Sequence, residues 1–294
     1  MQEEHIPVLL NETLELLSLG IGEKVVDCTV DGGGHAAAMA QIIGTSGRLV
    51  GLDWDQDLAD YATKKFSKTP QVSIVHSTYT KVADVLKSEN FGKADGLIAD
   101  LGFSSWQLLG GGGFSFEKDE PLLMTYDKDE PPAAKLINEL LEKDLADMIF
   151  TFGGERKSRL IAKAIVFERR RERILTTGRL VQIVSKAVGG GYERGRINPA
   201  TRTFQALRIA ANRELENVEK LMSDLPGVMN KGGRVAIITF HSLEDAIVKK
   251  SFAEMEKNGL GKRNPKKPVS PTHSECRKNP RSRSAKLRGF IFNK

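Results

Sequence analysis

Val25-Val26-Asp27-Cys28-Thr29-Val30-Asp31-Gly32-Gly33-Gly34-His35 passes from an apolar pair through two acids and three consecutive glycines to a histidine. A β-branched run that breaks into glycines and resumes as an amphipathic stretch marks a strand turning into a helix. Glycine permits the tight turn and lets backbone N–H groups approach a ligand, and the first turn of the following helix favours negative charge. Outward from this point the pattern repeats. Strands are expected at Lys24 to Thr29, Arg48 to Asp53, Val72 to His76 and Gly96 to Asp100, with helices at His35 to Ile43, Gln56 to Lys65 and Val82 to Lys87. Such alternation implies βαβ units around a parallel sheet, so the first hundred residues predict a doubly wound α/β fold.

After Asp100 the rhythm breaks, and the next apolar strand, Arg234 to Phe240 (RVAIITF), arrives about 130 residues later, far beyond an ordinary crossover. The intervening sequence holds the glycine run Gly110 to Gly113 and helical patterns near Ala133 to Phe150, Arg156 to Arg173 and Leu180 to Val188. A small helical domain inserted over residues 107–196, serving RNA or substrate recognition, is expected, leaving 1–106 and 197–294 as one discontinuous sheet domain. From Thr201 to Met222 apolar residues recur every three or four positions, a single helix returning the chain to the sheet. A helix at Leu243 to Met255 follows, Leu287 to Phe292 would close the sheet as an edge strand, and the Pro- and Arg-rich segment before it reads as a mobile loop.

The 294 residues are 40% hydrophobic and 28% charged, enough apolar material for a packed core. No apolar run approaches the ~20 residues that span a bilayer, and the start lacks a signal-peptide layout, so a cytoplasmic protein is expected. Cys28 and Cys276 lie far apart, which argues against a disulfide, and His273 with Cys276 falls short of the ligand set of a zinc site, so no metal is expected. Net charge is +6, unevenly spread. Lys262 to Lys294 carries eleven Lys or Arg against Glu275 alone, a balance of +10 that leaves the remainder near −4. A second dense stretch, Arg156 to Arg173, has eight Lys or Arg against Glu168 and Glu172. Two segregated basic segments on an otherwise acidic chain favour a polyanionic partner, with nucleic acid foremost.

A pyrophosphate site would need the spacing G-x-G-x-x-G, but here the glycines are contiguous and acids flank them. An acid-bordered loop repels a pyrophosphate and suits the ammonium and sulfonium of S-adenosylmethionine. Twenty residues beyond Gly33, Asp53 ends the second strand, where a carboxylate can accept both hydroxyls of an adenosyl ribose. Asp100 ends the fourth strand, where ligands of open α/β sheets gather. A nicotinamide dehydrogenase lacks its glycine spacing here, whereas a non-catalytic RNA-binding protein would explain the basic segments but leave the loop and Asp53 idle. A methyltransferase acting on another RNA, DNA or protein stays open on the residues alone.

The chain resembles the ribosomal RNA small subunit methyltransferase H family through His5 to Leu10, the Asp27 to His35 loop, Asp100 to Leu108 (DLGFSSWQL), Gly113 to Phe116, Gly153 to Arg156, Asn198 to Ile209 (NPATRTFQALRI), Phe240 to Lys249 (FHSLEDAIVK) and Asn279 to Arg288 (NPRSRSAKLR). The resemblance implies a Rossmann-like class I methyltransferase sheet with a helical insert, S-adenosylmethionine as cofactor, and N4-methylation of a cytidine in 16S rRNA or the small ribosomal subunit. It further implies cofactor contacts from Gly33, Gly34, His35, Asp53, Tyr79, Asp100 and Gln107. Asp100 or a nearby backbone carbonyl is the expected acceptor for the cytosine amine, and Phe103, Trp106, Phe114 and Phe116 are candidate platforms for a splayed-out base. The oligomeric state, monomer or dimer, is left open. The chain departs from the family where Pro121-Leu122-Leu123-Met124-Thr125-Tyr126-Asp127 replaces a segment richer in acid and arginine, at Gly110 to Gly113, and at Asn198.

Overall fold

A computed structural model of the chain describes residues 6–115, 118–127, 130–195 and 197–293. It divides into two compact units, the first built from residues up to Gly102 and from Leu215 onward, the second from Phe103–Glu214. Along the first unit run α1 (Leu10–Leu17), β1 (Lys24–Asp27), α2 (Gly34–Ile43), β2 (Arg48–Asp53), α3 (Gln56–Lys65), β3 (Val72–His76), α4 (Val82–Ser88) and β4 (Ala94–Asp100). The chain then forms α5 (Ser105–Leu109), α6 (Ala133–Glu139), α7 (Glu142–Gly153), α8 (Ser158–Arg169), α9 (Thr177–Val188) and α10 (Thr201–Ala211). It returns as α11 (Glu214–Val228), β5 (Met229–Thr239), α12 (Ser242–Lys257), β6 (Gly261–Arg263), α13 (His273–Lys278) and β7 (Lys286–Phe292).

The sheet order is β3-β2-β1-β4-β5-β7-β6, with β7 antiparallel to both neighbours and the remaining pairs parallel, the class I methyltransferase arrangement. Successive side chains along each strand point to opposite faces of the sheet, so each face is covered by its own set of helices. Val26, Val50, Leu52, Leu97, Val235 and Ile237 pack with residues of α4, α11 and α12. Val25, Leu49, Ile98, Ala236 and Ile238 pack with residues of α1 and α2. Both faces being covered explains why the strands read as continuous apolar runs. Each Val, Leu or Ile among them, fully withdrawn from water, contributes roughly 1.5–3 kcal/mol.

Four expectations need correction. β7 is not an edge strand: the three-residue β6 pairs with it through Gly261↔Phe292 to Arg263↔Phe290 and takes the edge. The segment before β7 is not a loose loop, since it forms α13 and a 3-10 turn over Pro280–Ser284. Glu275 accepts the Leu9 N–H at 2.8 Å and Asn279 donates to Ile6 O at 3.1 Å, which ties this segment to the chain start. The helix expected over Ala133 to Phe150 is broken at Leu140 and Leu141, both extended, where Arg169 donates to the carbonyls of Ile137 and Leu140. The returning helix is likewise broken at Asn212 and Arg213, so the second unit ends at Glu214 and not at residue 196. The reason is packing: Phe204 and Leu207 of α10 are buried in the core of the insert with Leu145, Ile149 and Ile137.

Candidate active site

In a doubly wound sheet, ligands gather outside the carboxyl ends of the strands where the order reverses, here between β1 and β4. Asp27 ends β1, Asp53 ends β2 beside it, and Asp100 ends β4 on the other side. Asp27 is buried and accepts the Thr29 N–H at 3.1 Å. Asp53 is buried too, its two carboxylate oxygens accepting the N–H groups of Asp31 at 2.7 Å and Asp55 at 3.0 Å. Across the switch point the Asp100 N–H donates to the Thr29 hydroxyl at 2.7 Å, so one threonine locks the β1 loop to the end of β4.

Burial pushes the Asp27 carboxyl up to about 7, against the pull of the Thr29 N–H and with the charges of Asp53 and Asp31 adding to it. Burial, then the charge of Asp31, raises Asp53 to about 7 as well. Asp100 is held well above the usual carboxylate range by burial, then by Asp31, Asp27 and Glu244. Asp27 Oδ2 and Asp100 Oδ1 are buried with no hydrogen-bond partner among the described residues. Unmet buried acceptors each cost ~1–3 kcal/mol, so crowded acids of this kind call for a ligand that brings positive charge and hydrogen-bond donors. The residues therefore fit a sulfonium, an ammonium and a ribose, and they are the wrong set for a pyrophosphate.

The glycines are needed where they stand. Gly33 has φ of 71°, and a side chain there would put its Cβ 2.9 Å from the Phe66 ring; at Gly34 a Cβ would lie 2.9 Å from Pro7. Lys65, at the end of α3, donates to Gly32 O at 2.6 Å and holds the loop from behind. His35 is buried, with Nε2–H donating to Val8 O at 3.1 Å, which anchors the N-terminal segment, and its Nδ1 lies 4.0 Å from Asp100 Oδ2. Tyr79 lies in the 3-10 turn just beyond β3 and packs partly into the core with Val75.

Gln107 falls in the second unit, where its Oε1 accepts the Ser104 N–H at 2.9 Å in a capping box at the start of α5. Of the aromatic candidates, Phe103 and Phe114 stack on each other at 5.8 Å, Phe114 stacks on Tyr126 at 5.6 Å, and the Arg208 guanidinium covers Phe103 at 4.6 Å. Trp106 is half-buried in α5, and Phe116 lies outside the described residues. The altered Pro121–Asp127 segment thus has a structural use: Leu122 and Met124 are buried in the insert, and the Tyr126 hydroxyl donates to Glu214 at 2.9 Å. Sequence reasoning missed Thr29, Lys65 and Glu244. Thr29 sat inside the loop that was read and Glu244 inside the quoted FHSLEDAIVK stretch, but neither was tied to Asp100, whereas Lys65 gave no local signal.

A family model described as the MraW methylase family matches residues 2–293. The chain is 42% identical over 289 residues to the ribosomal RNA small subunit methyltransferase H of Coprothermobacter proteolyticus, covering 98% of this chain and 95% of that protein. It is 41% identical over 309 residues to the protein of the same name in Symbiobacterium thermophilum, covering 99% and 97%. The one from Syntrophobacter fumaroxidans is 41% identical over 304 residues, covering 97% and 95%.

Proposed function

The chain belongs to the MraW methylase family, and from that premise we propose that it transfers the methyl group of S-adenosylmethionine to N4 of a cytidine in the decoding region of 16S rRNA. The observation that carries the reading is the convergence of Asp27, Asp53 and Asp100 at the switch point, with two buried carboxylate oxygens awaiting a donor. Asp53 would hold the ribose hydroxyls, the backbone of Gly33 and Gly34 would lie along the cofactor, Asp27 would offset its positive charge, and Tyr79 would flank the adenosyl group. S-adenosylmethionine, when bound, supplies an electrophilic methyl carbon on a positively charged sulfur. Little acid–base chemistry is then required of the protein, and holding the reactants in line is worth up to ~7–11 kcal/mol.

Asp100 accepts a hydrogen bond from the substrate amine, which localises the nitrogen lone pair and offsets the positive charge that develops there. Thr29 fixes its backbone, and His35 lies beside its carboxylate. No helix among the described residues is long and apolar enough to cross a membrane, and the cytoplasm is where such an enzyme meets ribosomal RNA. The reading is tested by nucleoside mass spectrometry of 16S rRNA from cells with and without the gene: loss of N4-methylcytidine supports it, and an unchanged profile overturns it. Calorimetry with S-adenosylhomocysteine should show saturable binding, and an absence of heat would remove the cofactor assignment.

A further inference from the structure

Eight Lys or Arg occupy positions 156–173, and the packing of the second unit divides them into two classes. Three have partners within the unit. Arg169 donates from its two terminal nitrogens to Ile137 O and Leu140 O, both at 2.7 Å, and so closes the end of α6. Lys157 donates to Val188 O at 2.8 Å at the end of α9 and lies over the Tyr192 ring. Arg173 lies 3.9 Å from Glu139. The other five, Arg156, Arg159, Lys163, Arg170 and Arg171, are exposed and have no carboxylate within ion-pair distance among the described residues. Of the two acids in the stretch, Glu168 is already engaged by Arg179 at 2.6 Å.

Along α8 the positions Arg159, Lys163, Phe167 and Arg170 are three or four residues apart and share one stripe, opposite the buried face of Ile161, Ala162, Ile165 and Val166. Phe167 is 52% exposed, and the Arg171 guanidinium stacks over it at 4.6 Å; Leu160, on the same side, is 49% exposed. The stripe extends over about 17 Å. Cations released from acidic partners follow a phosphate backbone, and an aromatic ring under an arginine takes up an unstacked base. We propose that this face of α8 is an RNA-binding surface, with Arg156, Arg159, Lys163 and Arg170 on the phosphates of an unpaired segment and Phe167 with Arg171 stacking on one of its bases. That the RNA is ribosomal rests on the function proposed above; the surface itself rests on the charge and exposure of α8.

The test is fluorescence anisotropy of the full chain with a fluorescein-labelled RNA of the 16S decoding region, titrated at several KCl concentrations. The triple variant Arg159→Ala/Lys163→Ala/Arg170→Ala flattens the slope of log affinity against log salt by about two units, since each phosphate contact on a single strand is worth about 0.7. Phe167→Ala weakens binding about fivefold or more with the slope unchanged. A charge-matched control on other helices, Lys220→Ala/Lys249→Ala/Lys250→Ala, keeps the wild-type slope, and all variants bind S-adenosylhomocysteine as wild type does. A triple variant with the wild-type slope, or a control that falls as far, overturns the surface. Methylation of 16S rRNA in complemented cells separates the two claims. Methylated rRNA with an unaffected triple-variant slope removes the surface alone, whereas no methylation with a flattened slope removes the rRNA assignment alone.

Discussion

At the end of β1 the parallel ladder with β4 would continue through a backbone carbonyl, but β1 turns away there and the Thr29 hydroxyl accepts the Asp100 N–H in its place. Thr29→Val leaves that N–H unmet, at ~1–3 kcal/mol, and lets the Asp100 carboxylate drift from the substrate amine. The expected result is a kcat reduced about tenfold or more with the KM for S-adenosylmethionine little changed, and recovery in Thr29→Ser. Equal activity of the valine and serine variants would sink the positioning role. At Asp100 itself, substitution by Ala should abolish turnover while rRNA binding, measured by filter retention, persists; retained turnover would remove the residue from the reaction. Both residues stand in motifs that were legible in the chain, because a strand end followed by glycine or a polar turn is a local pattern. The hydroxyl's partner was not legible, lying 71 residues away.

The helices α2, α3 and α4 were read to within a residue, as α3 shows with its Asp55 cap accepting from the N–H groups of Asp57 and Leu58. The two breaks inside expected helices left no such trace, since neither Leu140–Leu141 nor Asn212–Arg213 contains Gly or Pro. Both are imposed from outside the helix. Asn212 is buried; its Oδ1 accepts the Tyr126 N–H at 2.9 Å, and its Nδ2 donates to Met124 O at 2.7 Å and Arg208 O at 2.9 Å. Asn212→Ala strands two backbone groups, the Tyr126 N–H and Met124 O, while Arg208 O keeps the Asn212 N–H at 3.1 Å, and it should destabilise the protein by ~2–4 kcal/mol in urea unfolding, a midpoint within error of wild type being the contrary outcome. On the sheet, Arg288 of β7 is buried and pairs with Asp245 of α12 at 2.6 and 3.1 Å. Asp245→Ala leaves an uncompensated buried cation, with an expected loss of ~3–5 kcal/mol in the same measurement.

For the whole molecule the gathered acids link stability to pH. Asp27 and Asp53 titrate near 7 in the fold against about 4 in the unfolded chain, so their contribution is full below about pH 4 and is lost as pH rises through about 7. Asp27→Asn, which resembles the neutral form, should flatten the fall of unfolding free energy between pH 5 and 7 by up to about 1.4 kcal/mol per pH unit; parallel curves for wild type and variant would refute the linkage. The cationic cofactor should bind more tightly to the ionised site, so its affinity rises from pH 5.5 to 8 while that of neutral S-adenosylhomocysteine rises less.

What the amino-acid order determined unaided was the local and the periodic: the βαβ rhythm, the acid-bordered glycine bend, the strand-end aspartates and the presence of a helical insert. What only the tertiary structure decided was which groups are paired and how deeply they are buried. The displaced carboxylate pKa values, the division of eight basic residues into struts and an open stripe, the edge taken by β6 and the end of the insert at Glu214 all follow from contacts between residues far apart in the chain. Local propensity carries no term for such contacts, because burial and partnership exist only once the chain has closed on itself.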